Sequence, residues 1–377
     1  MFKKRIPGVT LRRGTALVLI VAVLLLSAGV LGACGASTTT SAENQETTVT
    51  TQAEVTSVTT ATTRPKLPKL TLVVPPGPMA IPAAYLAAND MLAAVAETTE
   101  VVVWENPEQL RAIVAGRQGD FVTFPTNNAA IFYNRGLEVQ LLDVSVWNIT
   151  YMLSYDPDVA SLADLKEAAE RDGVGIAISF QGSVPDLMFQ YMCRAQGIDS
   201  LETFDVRYVA DPTQAAQTLL SGAVDTAVIG EMLATAVIAQ ANERGEPVYR
   251  AFGFEEEWQR STGTAERTPI AGTVATGAVM ERPDVIDEFI RQYRAAVEWM
   301  LANPEEAGRL VEEELPQLGL KGAVVASSMK NITWEHVQAK DARRSLEAFF
   351  AVLAELSPDV IGGTLPDDGF YYPGVAE

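Results

Sequence analysis

The feature that most constrains the fold of this chain is a regular alternation, from Leu70 onward, of short apolar runs with longer amphipathic stretches. The short runs are rich in β-branched residues and bounded by turn-forming residues, so we predict that they are strands. They are Leu70–Val74, Glu100–Val103, Phe121–Phe124, Val139–Leu142, Gly175–Ser179, Val206–Val209 and Thr226–Ile229. Strands that alternate with helices indicate βαβ units, parallel sheets and an α/β fold.

The stretches between these strands carry apolar residues at helical spacing. The predicted helices cover Ala84–Glu97, Gln109–Ala115, Asn127–Asn134, Leu162–Glu170, Asp186–Gln196, Thr213–Ser221 and Leu233–Glu243. The C-terminal third is predicted to be mainly helical, with one helix beginning at Pro283 and another over Ala342–Leu356.

Two segments repeat one pattern. Residues 110–127 and 217–232 each comprise a predicted helix, a glycine turn, an aspartate, an apolar strand and an abrupt turn into the next helix. Open α/β sheets bind ligands at the carboxyl ends of their strands. The repeat therefore predicts two similar lobes that share a cleft.

The first 33 residues have the organisation of an export signal. Five basic residues precede an unbroken apolar run of 11 residues from Ala16 to Leu26, which is too short to span a hydrocarbon core of ~30 Å as a helix. The following Leu31-Gly32-Ala33-Cys34 resembles a bacterial lipobox, whose cysteine is acylated, for example with palmitate, and becomes the mature N-terminus. We predict a lipoprotein signal peptide over residues 1–33 and lipid attachment at Cys34. A plain secretory signal or an uncleaved anchor is the alternative.

Residues 34–68 are rich in Thr and Ser and contain almost no large apolar side chains. Such a segment cannot bury enough surface to offset its ordering entropy, so we predict a disordered tether. Its root-mean-square reach would be on the order of 30 Å.

The charge of the chain excludes nucleic acid as a partner. The formal net charge is −20. Removing residues 1–33 takes away five basic and no acidic residues, which leaves 23 basic against 48 acidic residues and a formal charge of −25. Such a surface repels phosphate backbones.

Cysteine and histidine are too scarce for most catalytic or metal sites. The chain has two cysteines and one histidine. If Cys34 carries lipid, Cys193 has no partner for a disulfide. A catalytic triad or a two-histidine zinc site would have to use His336, whose neighbours offer neither HExxH nor CxxC spacing. We predict no catalytic residue, no metal site, no cofactor and no enzyme activity.

Six motifs, in their order and spacing, resemble solute-binding proteins of ABC transporters, in the nitrate/sulfonate/taurine and thiamine-precursor (NMT1/THI5-like) group. The motifs are Pro76-Gly77-Pro78 with Ala80-Ile81-Pro82, Phe124-Pro125-Thr126-Asn127, Tyr133-Asn134-Arg135-Gly136, Gly182-Ser183-Val184-Pro185-Asp186, Gly222-Ala223-Val224-Asp225 and residues 362–370. The resemblance covers nearly all of residues 70–372.

The resemblance implies a type II periplasmic-binding fold with two α/β lobes and a central cleft. Residues 70–154 and 273–377 would form lobe 1, and residues 155–272 would form lobe 2. Together with the lipobox, it predicts a lipid-anchored protein on the extracytoplasmic face of the cell membrane. Such a protein delivers a small organic solute or anion, such as a sulfonate or a pyrimidine, to permease and ATPase subunits by hinge closure.

Two other functions remain open from the sequence. The same lobes resemble a thiamine-pyrimidine synthase and enzymes of the menaquinone pathway, but those enzymes are cytosolic and this chain carries an export signal. A lipoprotein that senses a ligand in the same cleft is the other alternative.

Candidate ligand-binding residues lie in the turns after predicted strands. Gly182, Ser183 and Val184 open a helix whose free N–H groups can bind an anion or a carbonyl, although Ser183 and Asp186 also have the spacing of a capping box. Thr126 and Asn127, after Pro125, can cap a helix or bind solute.

The remaining candidates are an apolar turn, a carboxylate and two aromatic side chains. Gly77 and Met79 belong to a rigid apolar turn that would form a pocket wall. Glu231 can meet an amine of the ligand or serve only as a favourable charge at a helix start. Trp147 and Phe180 are candidate stacking surfaces, with burial in the core as the alternative.

Overall fold

The computed structural model describes residues 64–375 of the chain. The predicted signal peptide, the lipid site Cys34 and residues 34–63 of the predicted tether lie outside the described residues. The described residues belong to one compact unit. Leu67, in the last part of the predicted tether, already forms a β-bridge with Ala96, so the folded body begins there.

Twelve strands in the described residues form two sheets. They are β1 Leu70–Val74, β2 Thr99–Val103, β3 Phe121–Pro125, β4 Val139–Leu141, β5 Asp143–Asn148, β6 Thr150–Ser154, β7 Gly175–Ser179, β8 Asp205–Val209, β9 Thr226–Gly230, β10 Tyr249–Gly253, β11 Ala271–Thr276 and β12 Thr333–Gln338. The first sheet has the order β12-β5-β11-β3-β1-β2, with β4 also paired to β11. The second sheet has the order β10-β6-β9-β7-β8.

The sheets are covered by thirteen α-helices in the described part of the chain. They are α1 Ala80–Ala88, α2 Pro107–Ala115, α3 Thr126–Asn134, α4 Leu162–Asp172, α5 Val184–Ala195, α6 Ser200–Thr203, α7 Pro212–Leu220, α8 Leu233–Glu243, α9 Phe254–Thr262, α10 Pro283–Ala302, α11 Pro304–Glu314, α12 Gly322–Met329 and α13 Ala339–Leu356. Within residues 64–375, none of these helices combines the length and the hydrophobicity needed to cross a membrane.

The predicted α/β architecture with two lobes is confirmed. All seven predicted strands are present, each within one residue at either end. The expectation of parallel sheets holds only for β1–β3 and β7–β9. Strands β5, β6, β10, β11 and β12 form antiparallel ladders. The chain passes from the first sheet to the second between β5 and β6, and it returns between β10 and β11.

The first predicted helix differs most from the structure. The prediction covered Ala84–Glu97, whereas α1 begins at Ala80 and ends at Ala88. Asn89 and Asp90 stop it, and Asp90 adopts a left-handed φ of 50°, which an α-helix cannot continue through. Pro82 is tolerated because the first turn of a helix needs no internal N–H donor.

The chain crosses between the sheets earlier than the predicted lobe boundary. β5 belongs to the first sheet and β6 to the second, so the crossing is at Ile149. The predicted boundary after Ser154 assigned β6 to the first lobe. The return runs from Gly253, through α9 and residues 263–270, to Ala271.

The internal repeat is visible in matching hydrogen bonds. Asp120 accepts a hydrogen bond from the Thr71 N–H at 2.8 Å, and Asp225 accepts one from the Gly175 N–H at 2.7 Å. Each aspartate therefore joins the start of the third parallel strand of its lobe to the first parallel strand. These carboxylates lie at the amino ends of the strands, away from the edge at which α/β sheets bind ligands.

Candidate functional site

The carboxyl ends of the parallel strands of both lobes lie beside the two crossing segments. At the end of β3, Pro125 pairs with Ala271, where the return segment enters the first sheet. At the end of β9, Gly230 pairs with Thr150, directly after the first crossing. The turns that follow β1, β3, β7 and β9 therefore border the region between the lobes, where ligands bind in folds of this type.

Two of these turns are bonded to the crossing segments in equivalent ways. Thr126 donates its N–H to Ile270 O at 3.0 Å and its hydroxyl to Pro269 O at 2.5 Å. Glu231 donates its N–H to Ile149 O at 2.8 Å. The turn after β3 thus holds the second crossing, and the turn after β9 holds the first.

These contacts use the polar groups that the sequence proposed for solute in the β3 turn. Thr126 is buried with its hydroxyl occupied, and Asn127 donates its side-chain amide to Val360 O at 3.1 Å. Pro125 closes β3 and is only partly buried. In this arrangement Thr126 and Asn127 connect α3 to distant backbone.

Glu231 forms an ion pair with Arg250 of the same chain. Arg250 Nε donates to Glu231 Oε1 at 2.7 Å, and Thr235 donates its hydroxyl to Glu231 Oε2 at 2.7 Å. The Glu231 side chain is 0% exposed. A charge so deeply buried needs a paired cation and hydrogen bonds, and Arg250 and Thr235 supply them. The sequence allowed Glu231 to pair with an amine of the ligand. In the structure Arg250 takes the place of that amine.

Residues of the two lobes meet beside this ion pair. Tyr151, in β6, donates its hydroxyl to Asn331 O at 2.5 Å, just ahead of β12 in the first lobe. The Asn331 side-chain amide lies 3.5 Å from the Thr235 hydroxyl. The Arg250 guanidinium lies 5.6 Å from the centre of the Tyr151 ring. Arg250, Thr235 and Asn331 were not found from the sequence, because no local motif surrounds them.

Trp147 does not present an open ring. It is 3% exposed, and the Arg267 guanidinium lies 4.3 Å from its ring centre. Its indole N–H donates to Glu335 O at 3.0 Å. The alternative of core burial describes its position, with a cation–π contact on its face.

Phe180 is the aromatic candidate that remains open. It directly follows β7, is 55% exposed and adopts a left-handed φ of 55°. Its N–H donates to Val209 O at 3.0 Å, and its carbonyl accepts from the Ser183 N–H at 2.9 Å. An exposed phenylalanine in a strained conformation is uncommon, and such strain concentrates at functional sites.

The N–H groups of the β7 turn are partly occupied by the protein itself. The Asp186 carboxylate, 0% exposed, accepts from the Gly182 N–H at 2.7 Å and from the Tyr208 hydroxyl at 3.2 Å. The Ser183 hydroxyl donates to Ser179 O and does not cap α5, and Val184 begins that helix, partly buried. Asp186 places a negative group where the sequence allowed a ligand anion, which disfavours an anion there.

The matching turn in the first lobe is apolar. Gly77 adopts a φ of 151°, and no atom lies within 4 Å of the position a Cβ would take. Met79 is partly buried and contacts the core of the first lobe. The position of this turn after β1 corresponds to that of Phe180 and Gly182 after β7.

The rare residues lie away from this region. His336 is in β12 with a side chain 2% exposed, and Cys193 is a free thiol buried in α5 whose pKa is raised by burial. Among residues 64–375, no three His, Cys, Asp or Glu side chains are arranged to hold a metal ion.

Comparison with known proteins identifies the family. The model of the NMT1-like family matches residues 121–312, which is half of the chain. The chain belongs to the NMT1-like family. The matched range begins with β3 and ends within α11, and so it contains the whole second lobe and both crossing segments of this family member. No curated protein sequence matches it.

Solved structures show which proteins share the fold of this family member. An ABC transporter protein from Parabacteroides distasonis superposes with a TM-score of 0.67 at 20% identity, over 81% of this chain and 99% of that one. The periplasmic aliphatic sulphonate binding protein of Escherichia coli gives 0.61 at 15% identity, over 82% and 93%. The periplasmic nitrate-binding protein of Synechocystis PCC 6803 gives 0.56 at 16% identity, over 79% and 85%. The periplasmic-binding fold implied by the sequence motifs is therefore confirmed.

Proposed function

We propose that this chain is the solute-binding component of an ABC importer, anchored by a lipid on Cys34 to the extracytoplasmic face of the cell membrane. The observation that carries the proposal is the pair of equivalent lobes whose strand ends border one interlobe region, in a member of the NMT1-like family. The fold neighbours named as ABC-transporter, sulphonate-binding and nitrate-binding proteins support it. Permease and ATPase subunits would be its partners.

The chemistry of the turns favours an organic solute with a flat or apolar part over a small oxyanion. Phe180 offers an exposed ring, and the equivalent turn of the first lobe, at Gly77, is apolar. The two carboxylates nearest the cleft turns of the second lobe, Asp186 and Glu231, are both buried. Arg250, which could otherwise bind an anion, is paired with Glu231.

Capture would proceed by rotation of the lobes about Ile149 and residues 263–270, with solute stabilising the closed form. The lobes also touch through Trp258 of α9 and Phe349 of α13, whose ring centres are 5.5 Å apart. This edge-to-face aromatic contact would be the pivot of the rotation.

Calorimetric titration tests the proposal. The compact unit, residues 62–377, would be titrated with pyrimidines, aromatic and aliphatic sulfonates, amines and nitrate. We expect saturable binding of at least one flat organic solute, with a smaller radius of gyration in solution scattering when it is bound. A folded protein that binds none of these classes, and from which no small molecule is released on denaturation, would contradict the function.

Replacing Phe180 with alanine is expected to weaken binding of that solute about fivefold, because a stacked ring contributes on the order of 1 kcal/mol. Tyr249→Ala is the matched control, since Tyr249 is an exposed aromatic at the far end of β10. The measurement is the dissociation constant by calorimetry. Equal effects of the two substitutions would remove Phe180 from the site.

Replacing Cys34 with serine is expected to abolish lipid labelling. The measurement is incorporation of an alkyne analogue of palmitate during growth, followed by separation of membrane and soluble fractions. Cys193→Ser is the control, because the Cys193 thiol is buried and should carry no acyl chain. Label that persists in Cys34→Ser would show that the anchor lies elsewhere.

A further inference from the structure

A group of buried polar side chains in the first lobe has no role in the cleft. Asp143 of β5 and the side chain of His336 of β12 are 0% and 2% exposed. Neither carboxylate oxygen of Asp143 and neither ring nitrogen of His336 has a hydrogen-bonding partner among the described residues. The same is true of the hydroxyls of Ser145 and Tyr293.

These unpartnered groups lie together. His336 Nε2 is 4.0 Å from Asp143 Oδ2, and the Tyr293 and His336 ring centres are 6.0 Å apart. The Ser145 and Thr273 hydroxyls lie close enough to both Asp143 and Tyr293 to favour their ionised forms. The Thr273 hydroxyl lies 3.1 Å from the Thr123 hydroxyl.

The separation of Asp143 and His336 suits a bridging water. A direct hydrogen bond needs about 3 Å, whereas 4.0 Å leaves space for a molecule that bonds to both groups. Buried waters in folded proteins typically make about three hydrogen bonds to groups that are otherwise unsatisfied. Six polar side chains from β3, β5, β11, β12 and α10 supply more than that number.

We propose that Asp143 and His336 form a buried site that binds ordered water and holds one shared proton. The hydroxyls of Ser145, Thr123, Thr273 and Tyr293 complete the site. Phe289 stacks on Tyr293 and on Phe121, so the site lies beside buried apolar side chains of the first lobe. It is independent of the solute cleft, since Asp143 is at the end of β5 opposite the crossing.

Few other charges face the pair. On α10, Arg294 disfavours the charged form of His336, and Asp287 accepts a hydrogen bond from the Tyr372 hydroxyl. On β12, Glu335 is paired with Arg267. β11 contains no titratable residue. On α13, Lys340 and Asp341 pair with each other at the surface.

The folded pair is expected to keep a single proton over a wide range of pH. Burial raises the pKa of Asp143 to about 8 and lowers the pKa of His336 to about 4. In the unfolded chain the two groups titrate near their usual values of about 3.9 and 6.5. Between about pH 4 and 6.5 both states therefore hold one proton, and the pair adds no pH dependence.

Above about pH 6.5 the unfolded pair has lost its proton while the folded pair retains it. The pair then destabilises the folded protein progressively until about pH 8, and the unfolding equilibrium constant rises by up to about tenfold per pH unit.

Each single substitution leaves one titrating group, whose own effect on the pH dependence of stability can then be measured. Asp143→Asn leaves His336, so stability should fall as pH drops from about 6.5 to 4 and be flat above 6.5. His336→Gln leaves Asp143, so stability should fall as pH rises from about 4 to 8.

Denaturant unfolding of residues 62–377 between pH 4.5 and 8.5 tests these slopes, read as the stability of the variant minus that of the wild type. Because the wild type itself loses stability above about pH 6.5, this difference should rise with pH for Asp143→Asn up to about pH 8. For His336→Gln the difference should fall up to about pH 6.5 and be level above it. Asp341→Asn, at an exposed aspartate of α13, is the matched control and should shift the curve by a constant. The same melts on the full chain in detergent micelles should agree. Differences that do not change with pH for Asp143→Asn and His336→Gln would overturn the shared proton.

Magnetic resonance of the wild type gives a second readout that needs no variant. His336 is the only histidine, so a tag-free sample labelled with ¹⁵N-histidine gives one imidazole. We expect no change in its protonation between pH 5 and 7.5, and ordered density within hydrogen-bond distance of both side chains in a high-resolution crystal structure. A ring that titrates near pH 6.5 would overturn the proposal, as would a site that is dry in the crystal.

Discussion

Replacing Arg250 with methionine is expected to lower the free energy of unfolding by about 3 kcal/mol, because it leaves a buried carboxylate without its cation. The Glu231 side chain is 0% exposed, and Arg250 contacts it through both Nε and a terminal nitrogen. Methionine keeps much of the side-chain length, so the loss of charge is the main change. The measurement is denaturant unfolding at pH 7.

A second substitution separates charge from packing. In the double variant Arg250→Met, Glu231→Gln no buried charge remains, so we expect at least half of the lost stability to return. Arg244→Met, at an exposed arginine near the end of α8, should change stability by less than about 0.5 kcal/mol. If Arg250→Met is no more harmful than Arg244→Met, the ion pair is not a structural element of the turn after β9.

Replacing Gly272 with alanine is expected to destabilise the fold by about 3 kcal/mol, at the upper end for overpacked sites. A Cβ at Gly272 would lie 1.9 Å from the Asp143 carbonyl oxygen and 2.9 Å from its carbonyl carbon. Both contacts are to backbone, so no side chain can move aside. β11 would have to shift away from the start of β5, in the centre of the first sheet.

Gly230→Ala is the matched control for this effect. Gly230 also lies in a strand beside a crossing segment, but the atom nearest to a Cβ added there would be Ile149 O, at 3.7 Å. This is ordinary van der Waals contact, so we expect little change in stability. Thermal and denaturant unfolding of both variants would be compared. Similar losses in the two variants would contradict the assignment of the effect to the close approach to Asp143, since the entropy of the unfolded chain by itself favours alanine at both positions.

The parallel strands could be predicted because their signal is local. β1 and β7 are continuous apolar segments flanked by turn residues, and their limits agree with the structure. β12 could not be found in this way, since Thr333–Gln338 contains Glu335, His336 and Gln338. Its pairing with β5 is decided by tertiary position.

The candidate site was predictable in place but not in detail. The sequence placed Phe180, Gly182, Thr126 and Glu231 in turns after strands. The structure has Phe180, Gly182 and Glu231 in such turns, whereas Thr126 is the first residue of α3. Their partners could not be predicted. Thr126 bonds to a residue 143 positions away, and Asn127 to one 233 positions away.

The sequence by itself determined the α/β class, the repeated unit of each lobe and the family resemblance, because these depend on periodicity and motif order within short segments. Only the tertiary structure decided which polar side chains remain open to a solute. In the folded chain Thr126 and Asn127 donate hydrogen bonds to backbone carbonyls, and Glu231 is paired with Arg250. Phe180 remains exposed. The physical reason is that a buried polar group must find a partner in space, and in this chain most such partners come from distant segments.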